Sequence, residues 1–166
     1  MSAEAIRAIF SPEADTDILM LLTIYAEDGV TPSVRLVDGF TQRLSETADE
    51  VTYGVVSNSQ QYIFIPMEIT MPSEEESQAP RCSVVIQDVT RYLIPIIRTI
   101  TYQPKVKLDI VLSKTPDTVE VSFSDFYINN FTYTATQVTA DLSMIDYERE
   151  GFPAHSFTPA YFPGLF

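Results

Sequence analysis

Apolar and polar residues alternate with a period of two along most of the chain. In Gln61–Met71 the alternation is clean, because Ile63, Ile65, Met67 and Ile69 fall on one side. Such alternation predicts half-buried β-strands. Other runs rich in strand-forming residues occur at Ile18–Glu27, Val34–Val37, Val51–Val56, Arg81–Ile86, Lys105–Leu112, Val119–Phe123, Phe126–Thr134 and Gln137–Met144. The pattern predicts a mainly β fold, a barrel or sandwich of antiparallel strands.

Turn residues separate these runs and set their expected connections. The turns are expected at Asp28-Gly29, Ser57-Asn58-Ser59, Thr115-Pro116-Asp117 and Ser124-Asp125. The first of them predicts a hairpin of Ile18–Glu27 with Val34–Val37, and the polar stretch Thr41–Glu50 is expected to be irregular. Pro66 cannot donate a ladder hydrogen bond, so an edge or a bulge is expected there.

The last predicted strand has one apolar and one polar face. Its residues Val138, Ala140, Leu142 and Met144 are expected to point inward. Asp141 and Asp146 are expected on the solvent side.

Two segments have helical periodicity instead. Ala3–Phe10 places Ile6, Ile9 and Phe10 on one face, with Ser2 as a plausible N-cap. Asp88–Ile100 is predicted to be the one long helix, with Asp88 as its N-cap and with Pro95 shortening or kinking it. This inserted helix is expected to close an end or face of the β-domain. The side chains it is expected to bury are Val89, Leu93 and Ile96 or Ile97.

After Tyr147 the strand pattern is lost. Residues 151–166 form an extended Pro/aromatic C-terminal arm by sequence, beside a single β-rich domain of residues 1–150. The arm's large aromatic side chains are the candidate interface residues, Phe152, Phe157, Tyr161, Phe162 and Phe166. They are expected to dock on a neighbouring subunit; the alternative is that the arm folds back onto its own domain. The acidic segment Ser73–Gln78 is expected to be a solvated loop tip.

The charge of the chain bears on its partners. A formal net charge of −13 repels phosphate backbones and anionic lipid surfaces. Sequence-specific nucleic-acid binding is therefore not expected. Membrane insertion is not expected either, because the longest apolar run, Ile18–Leu22, is too short to span a bilayer, and the N-terminus does not resemble a signal peptide. We expect this charge to keep the protein soluble; the alternative is that it forms an acidic face turned to a lumen or to a basic partner.

Residues able to carry out catalysis are few. Cys82 is the single cysteine and His155 the single histidine, so neither a disulfide nor a Cys/His metal site is expected. Asp15 and Asp17 lack the glycine and closing glutamate of a calcium loop. We therefore expect no cofactor, no metal and no enzymatic activity, although a glycosidase-like pair of carboxylates is left open.

The C-terminal segment Phe157-Thr158-Pro159-Ala160-Tyr161-Phe162-Pro163-Gly164-Leu165 resembles the ending of a family of uncharacterised phage tail proteins. The succession of Arg81–Ile86, Asp88–Ile100, Lys105–Leu112, Val119–Phe123 and Gln137–Met144 matches that family more diffusely. The family is distantly similar to the β-domain of the upper hub protein (protein L) of lambda-like tails. In that protein an iron–sulfur domain follows, and this sequence, with Cys82 alone, does not support carrying the cluster over.

The resemblance implies a structural component of a siphophage tail tip or baseplate. It implies a hub-type protein that links the distal tail to the central tip and fibre proteins, as a homo-oligomer that is a trimer or alternatively a hexamer. Its expected partners are the distal tail, tape-measure, tip and fibre proteins. The expected location is the virion tail tip, and the host cytoplasm during assembly. The alternatives are a hexameric distal-tail ring protein, a carbohydrate-binding β-sandwich and, least favoured by these residues, a hydrolase.

Overall fold

The protein is mainly β, as its alternating pattern predicts. A computed structural model describes residues 1–10, 16–47, 51–71, 81–87 and 91–144. Two helices lie in these ranges, α1 (Ala3–Phe10) and α2 (Leu93–Thr99). The ten strands are β1 (Ile18–Tyr25), β2 (Pro32–Val37), β3 (Gln42–Glu46), β4 (Val51–Ser57), β5 (Gln60–Phe64), β6 (Met67–Thr70), β7 (Arg81–Ile86), β8 (Lys105–Leu112), β9 (Thr115–Tyr133) and β10 (Val138–Met144).

All ten strands belong to one mixed sheet. Their order is β3-β4-β5-β2-β1-β8-β9-β10-β7-β6. Neighbours pair antiparallel except β2 and β5, which run parallel, with Leu36 opposite Ile63. Among the described strands the sheet is not closed, so the predicted β class is confirmed whereas a closed barrel is not. The predicted hairpin of β1 and β2 is confirmed, and it places Leu22 opposite Leu36.

The sheet curls so that β2 and β7 approach each other without pairing, and Pro66 lies in the segment that crosses between them. The alternating run around Pro66 is divided into β5, beside β2, and β6, beside β7. The Ile65 amide donates to the Val37 carbonyl at 3.1 Å, and the Gln87 amide donates to the Pro66 carbonyl at 2.8 Å. Since proline has no N–H to continue the ladder, the strand changes partners at this residue. The covalent chain thus spans the gap between β2 and β7.

The curled sheet encloses one core and carries a second on its outer side. The inner core combines side chains from β1, β2, β7, β8, β9 and β10 with Leu93 of α2, and Phe126 is its largest fully buried side chain. In the outer core, Val55 and Tyr62 of the β4–β5 hairpin pack against Leu21 and Val111. The fold therefore has a second layer, which holds the β4–β5 hairpin against β1 and β8.

Several connections differ from the expectations. Thr41–Glu50 is not wholly irregular, since it contains β3. Thr115-Pro116-Asp117 is not a turn but the start of the 19-residue strand β9. Ser124-Asp125 is not a turn either, because it lies within β9. There the pairing of β9 with β8 shifts register between Val106 and Leu108 of β8, and Asp125 has φ 68°. Aspartate tolerates this left-handed backbone, so the same residues that favour a turn also suit a bulge.

The predicted faces of β10 are confirmed except at one position. Val138, Ala140 and Leu142 are buried, and Asp141 is exposed. Met144 is exposed rather than inward, because it is the last residue of the strand. Asp146 lies outside the described residues.

Helix α1 matches its prediction, and Ser2 caps it: the Ala5 amide donates to Ser2 Oγ at 3.1 Å. Its apolar side chains are largely uncovered. Ala5 is buried, whereas Ile6 and Ile9 are each 47% exposed and Phe10 is 81% exposed. The amphipathic pattern therefore predicted the helix but not what it packs against.

Helix α2 is shorter than predicted. It begins at Leu93 rather than Asp88, with Tyr92 as the N-cap residue; Asp88 and Val89 lie outside the described residues. Pro95 is the third helical residue, and the amides of a first turn have no partner within the helix, so proline is tolerated there. The predicted packing of Leu93 is confirmed, with Ile96 and Ile97 partly buried against the inner core.

Candidate docking surface

Three aromatic rings cluster at the surface of the outer layer. The Phe40 ring centroid lies 5.1 Å from that of Tyr53 and 5.0 Å from that of Phe64. These separations are typical of favourable aromatic pairs. Phe40 and Tyr53 nevertheless remain 55% and 43% exposed. The cluster is therefore a stable apolar surface that faces solvent in the isolated chain.

The backbone of β4 explains how these rings come together. Gly54 follows Tyr53, and a Cβ at this glycine would lie 2.0 Å from the Tyr62 carbonyl oxygen. Only glycine permits this approach of β4 to β5. The Thr41 amide donates to the Gly54 carbonyl at 3.1 Å and so holds Phe40 beside Tyr53.

A groove runs from this cluster to the start of α2. We call it the aromatic groove; its lining is Val51, Thr52, Tyr53, Ile63, Phe64, Ile65 and Tyr92. It encloses about 340 Å³, and each of its lining side chains is uncharged. Val51 and Tyr92 are 40% and 43% exposed. Its side chains are apolar or aromatic apart from the hydroxyls of Thr52, Tyr53 and Tyr92, which suits an occupant with both aromatic rings and polar backbone groups.

A second space lies inside the domain, beneath α2. This inner cavity measures about 50 Å³, and only apolar side chains line it, among them Leu93, Ile96 and Ala140. Its volume is of the order of one or two water molecules, yet without polar partners water is poorly held there. The inner cavity is a packing gap between helix and sheet.

Charged groups near the outer core are paired. Asp109 is buried, and its carboxylate accepts from Lys107 Nζ at 2.7 Å and from Ser122 Oγ at 2.6 Å. Burial opposes the charge of Lys107, but the hydrogen bond and the charge of Asp109 outweigh it and raise the lysine pKa. Nearby, the Thr23 and Tyr62 hydroxyls lie 3.3 Å apart. These contacts satisfy buried polar groups and stabilise the layer beneath the aromatic groove.

Cys82 is a buried thiol in β7, as its sequence context predicts. Burial raises the pKa of this thiol to about 11. A thiol of that kind is a poor nucleophile at neutral pH, because the thiolate is the reactive form.

The predicted interface residues Phe152, Phe157, Tyr161, Phe162 and Phe166 lie outside the described residues, as do Asp15, His155 and the Ser73–Gln78 segment. Within the described ranges, no cluster of three or more His, Cys, Asp or Glu side chains has a geometry able to hold a metal ion.

The residues of the aromatic groove were not predicted. Tyr53 lies on the same face of β4 as buried Val55, two residues along the strand, where the outer core no longer covers that face. Strand alternation therefore predicts its face but not its exposure. Phe40 and Tyr92 lie in connections, where periodicity gives no such signal.

Comparison with protein families gives one match, which spans residues 4–157, nearly the whole chain. The family is described as a domain of unknown function, DUF1833. The chain belongs to this DUF1833 family. No curated protein matches the chain significantly, and no solved structure does. Of the helices described, neither is long and apolar enough to cross a membrane.

Proposed function

We propose that this DUF1833 chain is a non-catalytic structural component of a siphophage tail tip. In that role it is a hub-type protein that links the distal tail to the tip and fibre proteins. The resemblance of its Phe157–Leu165 segment to the ending of phage tail proteins supports the assignment to a tail. The mainly β domain is of the kind from which hub proteins of lambda-like tails are built.

The observation that carries the proposal is the aromatic groove, together with the exposed ring of Phe40 that packs beside Tyr53 at its end. Exposed apolar surfaces rimmed by polar residues mark interaction sites. Tyrosine and phenylalanine are enriched in the cores of protein interfaces. The groove is therefore suited to contact between subunits.

The pairing of charged side chains also supports a structural role. Asp109 is held by Lys107 and Ser122, and Asp125 pairs with Lys105. These carboxylates fix the framework of β8 and β9. The net charge of −13 also suits a tail protein, because an acidic channel lets DNA pass without adhering to its wall.

Purified particles from the phage or prophage that encodes the chain test this proposal. Mass spectrometry and immunogold labelling should place the protein at the distal end of the tail. Deleting Phe157–Phe166 should leave the β-domain folded, as judged by circular dichroism, and should yield particles that lack the protein and do not infect. Particles without the chain in the wild type would refute the proposal. A truncated chain that is incorporated normally, or one that does not fold, would instead refute the expected docking of the arm on a neighbouring subunit and would leave the assignment to the tail standing.

The alternative structural role is that of a hexameric distal-tail ring protein, which differs from a trimeric hub in its symmetry. Three copies at the tail axis correspond to a hub, and six correspond to a distal ring. A reconstruction of the tail tip distinguishes these two arrangements.

The aromatic groove also favours a second candidate, a carbohydrate-binding β-sandwich. Tyr53 and Tyr92 are exposed and have the stacking faces that sugar rings use. The lining has no charged or amide side chain of the kind that binds several sugar hydroxyls at once, which favours a protein occupant instead. Titration with cell-wall oligosaccharides and a Tyr53→Ala control tests this role; saturable binding that the substitution abolishes would establish it.

A further inference from the structure

We propose that the aromatic groove of one copy receives the C-terminal arm, residues 151–166, of a neighbouring copy. This inference rests on the proposed function, in which copies of the chain form a ring. It names the occupant of the groove and the contact that joins successive subunits.

The chemistry of the arm matches the groove. Residues 151–166 contain five large aromatic side chains and three prolines, Pro153, Pro159 and Pro163, and they contain no Asp, Glu, Lys or Arg. Proline-rich segments hold an extended backbone at low entropic cost and dock in grooves lined by aromatic residues. Tyr53, Phe64 and Tyr92 form such a lining.

Charge favours the same pairing. In a chain of net charge −13, two copies repel each other through most of their surfaces. Both the arm and the lining of the groove are uncharged, so this contact brings no like charges together. An uncharged arm is the part of the chain best able to approach a second copy.

The topology places Met144, where the last described strand ends, away from the groove. Residue Ile86 pairs with both Val138 and Met67, so this end of β10 lies near the Ile65–Met67 side of the groove. The chain instead leaves β10 at Met144, the far end of the strand. The seven residues of β10, Val138–Met144, span six steps of the strand, or about 20 Å.

The length of the arm permits it to reach a groove of the same chain or of another copy, and the crosslinking experiment below distinguishes the two. From Met144 to Phe157 the chain has thirteen residues, an extended reach of about 43 Å. A contact between an arm at one place and a groove at another is heterologous, and repeating it generates a ring when the rotation closes. A heterologous contact of this kind is what a tail ring requires.

Cysteine crosslinking tests the proposal on the full-length chain. One chain carries Val51→Cys in the groove, and a second, tagged chain carries Ala160→Cys, which leaves every aromatic residue of the arm in place. The matched control replaces the groove cysteine by Val119→Cys on β9; Val119 is 39% exposed, against 40% for Val51. Buried Cys82, with its pKa raised to about 11, remains unreactive in all of these proteins.

The two chains are mixed and treated with a short bismaleimide, as purified protein at high concentration and as co-incorporated subunits in particles. The expected result is a covalent dimer of the two chains with Val51→Cys, and loss of that dimer to background with Val119→Cys. Absence of the mixed dimer in both settings would overturn the proposal. A third chain carries Val51→Cys and Ala160→Cys together. Crosslinking only within this chain would overturn the proposal too, because the arm would then fold back onto its own domain. If the particles contain the protein, either of these two negative results refutes the contact between arm and groove but not the proposed structural function.

Discussion

Leu93 is the buried side chain through which helix α2 enters the inner core, and it allows a quantitative prediction. Leu93 is 2% exposed and lies beside the 50 Å³ inner cavity. Burial of a leucine contributes ~1.5–3 kcal/mol, and the space left by its removal adds ~24 cal/mol for each Å³. Because the new space would join the existing cavity, Leu93→Ala should lower the free energy of unfolding by about 3–4 kcal/mol, within the range for buried leucines.

Urea denaturation followed by circular dichroism measures this change. With an m value of about 2 kcal/mol/M, the midpoint should fall by about 1.5–2 M. Alanine has the highest helix propensity, so the loss cannot come from α2 itself. Leu93→Met, which nearly conserves volume, is the control and should cost less than about 1.5 kcal/mol. If Leu93→Ala instead costs less than ~1 kcal/mol, a small part of the cost of removing a packed leucine, α2 does not seal the core.

Four further results are expected. Lys107→Met should destabilise the fold by leaving Asp109 buried without its cation, and adding Asp109→Leu should restore much of the loss; additive losses in this double-mutant cycle would show that the two residues are not coupled. Cys82 should resist a thiol reagent in the native protein at pH 8 and react after unfolding, whereas rapid native labelling would contradict its burial. Folding raises the pKa of that thiol from 9.0 to about 11, so its contribution to stability is present below pH 9 and is lost as the pH rises from 9 to 11. Denaturation at several pH values in this window should show the loss in the wild type and not in Cys82→Ala. Elemental analysis of the purified protein should find no stoichiometric transition metal; one zinc or iron per chain would refute this.

Local signals in the sequence were sufficient for most of the strands. The β1–β2 hairpin and the buried face of β10 follow from alternation and turn residues close in the chain. The parallel pairing of β2 with β5 does not, because it joins segments separated by two other strands. Alternation specifies which side of a strand is buried but not which strand lies beside it.

Turn residues were the less certain signal. Asp125 adopts a left-handed backbone, as a turn would require, yet the chain continues in the same strand beyond it. Pro116 is compatible with β9 because β10 pairs only with the later part of that strand, from Phe126 onward. The exposed face of α1 shows the same limit, since periodicity predicts an apolar face without naming what covers it.

The candidate site could be predicted only in part. The arm stays a prediction from Phe157–Leu165, where proline and aromatic residues replace the strand pattern, because it lies outside the described residues. The groove depends on Phe40, Tyr53 and Tyr92, which are distant in sequence and meet only through the second layer of the sheet. A surface assembled from separate connections has no local pattern to reveal it.

A cryo-EM reconstruction of the tail tip of purified particles tests the central claim most directly. The account predicts this β-domain in three or six symmetric copies around the tail axis, between the distal tail and the tip proteins. A tail tip whose density is fully explained by other proteins, from particles in which mass spectrometry does not detect this chain, would contradict it.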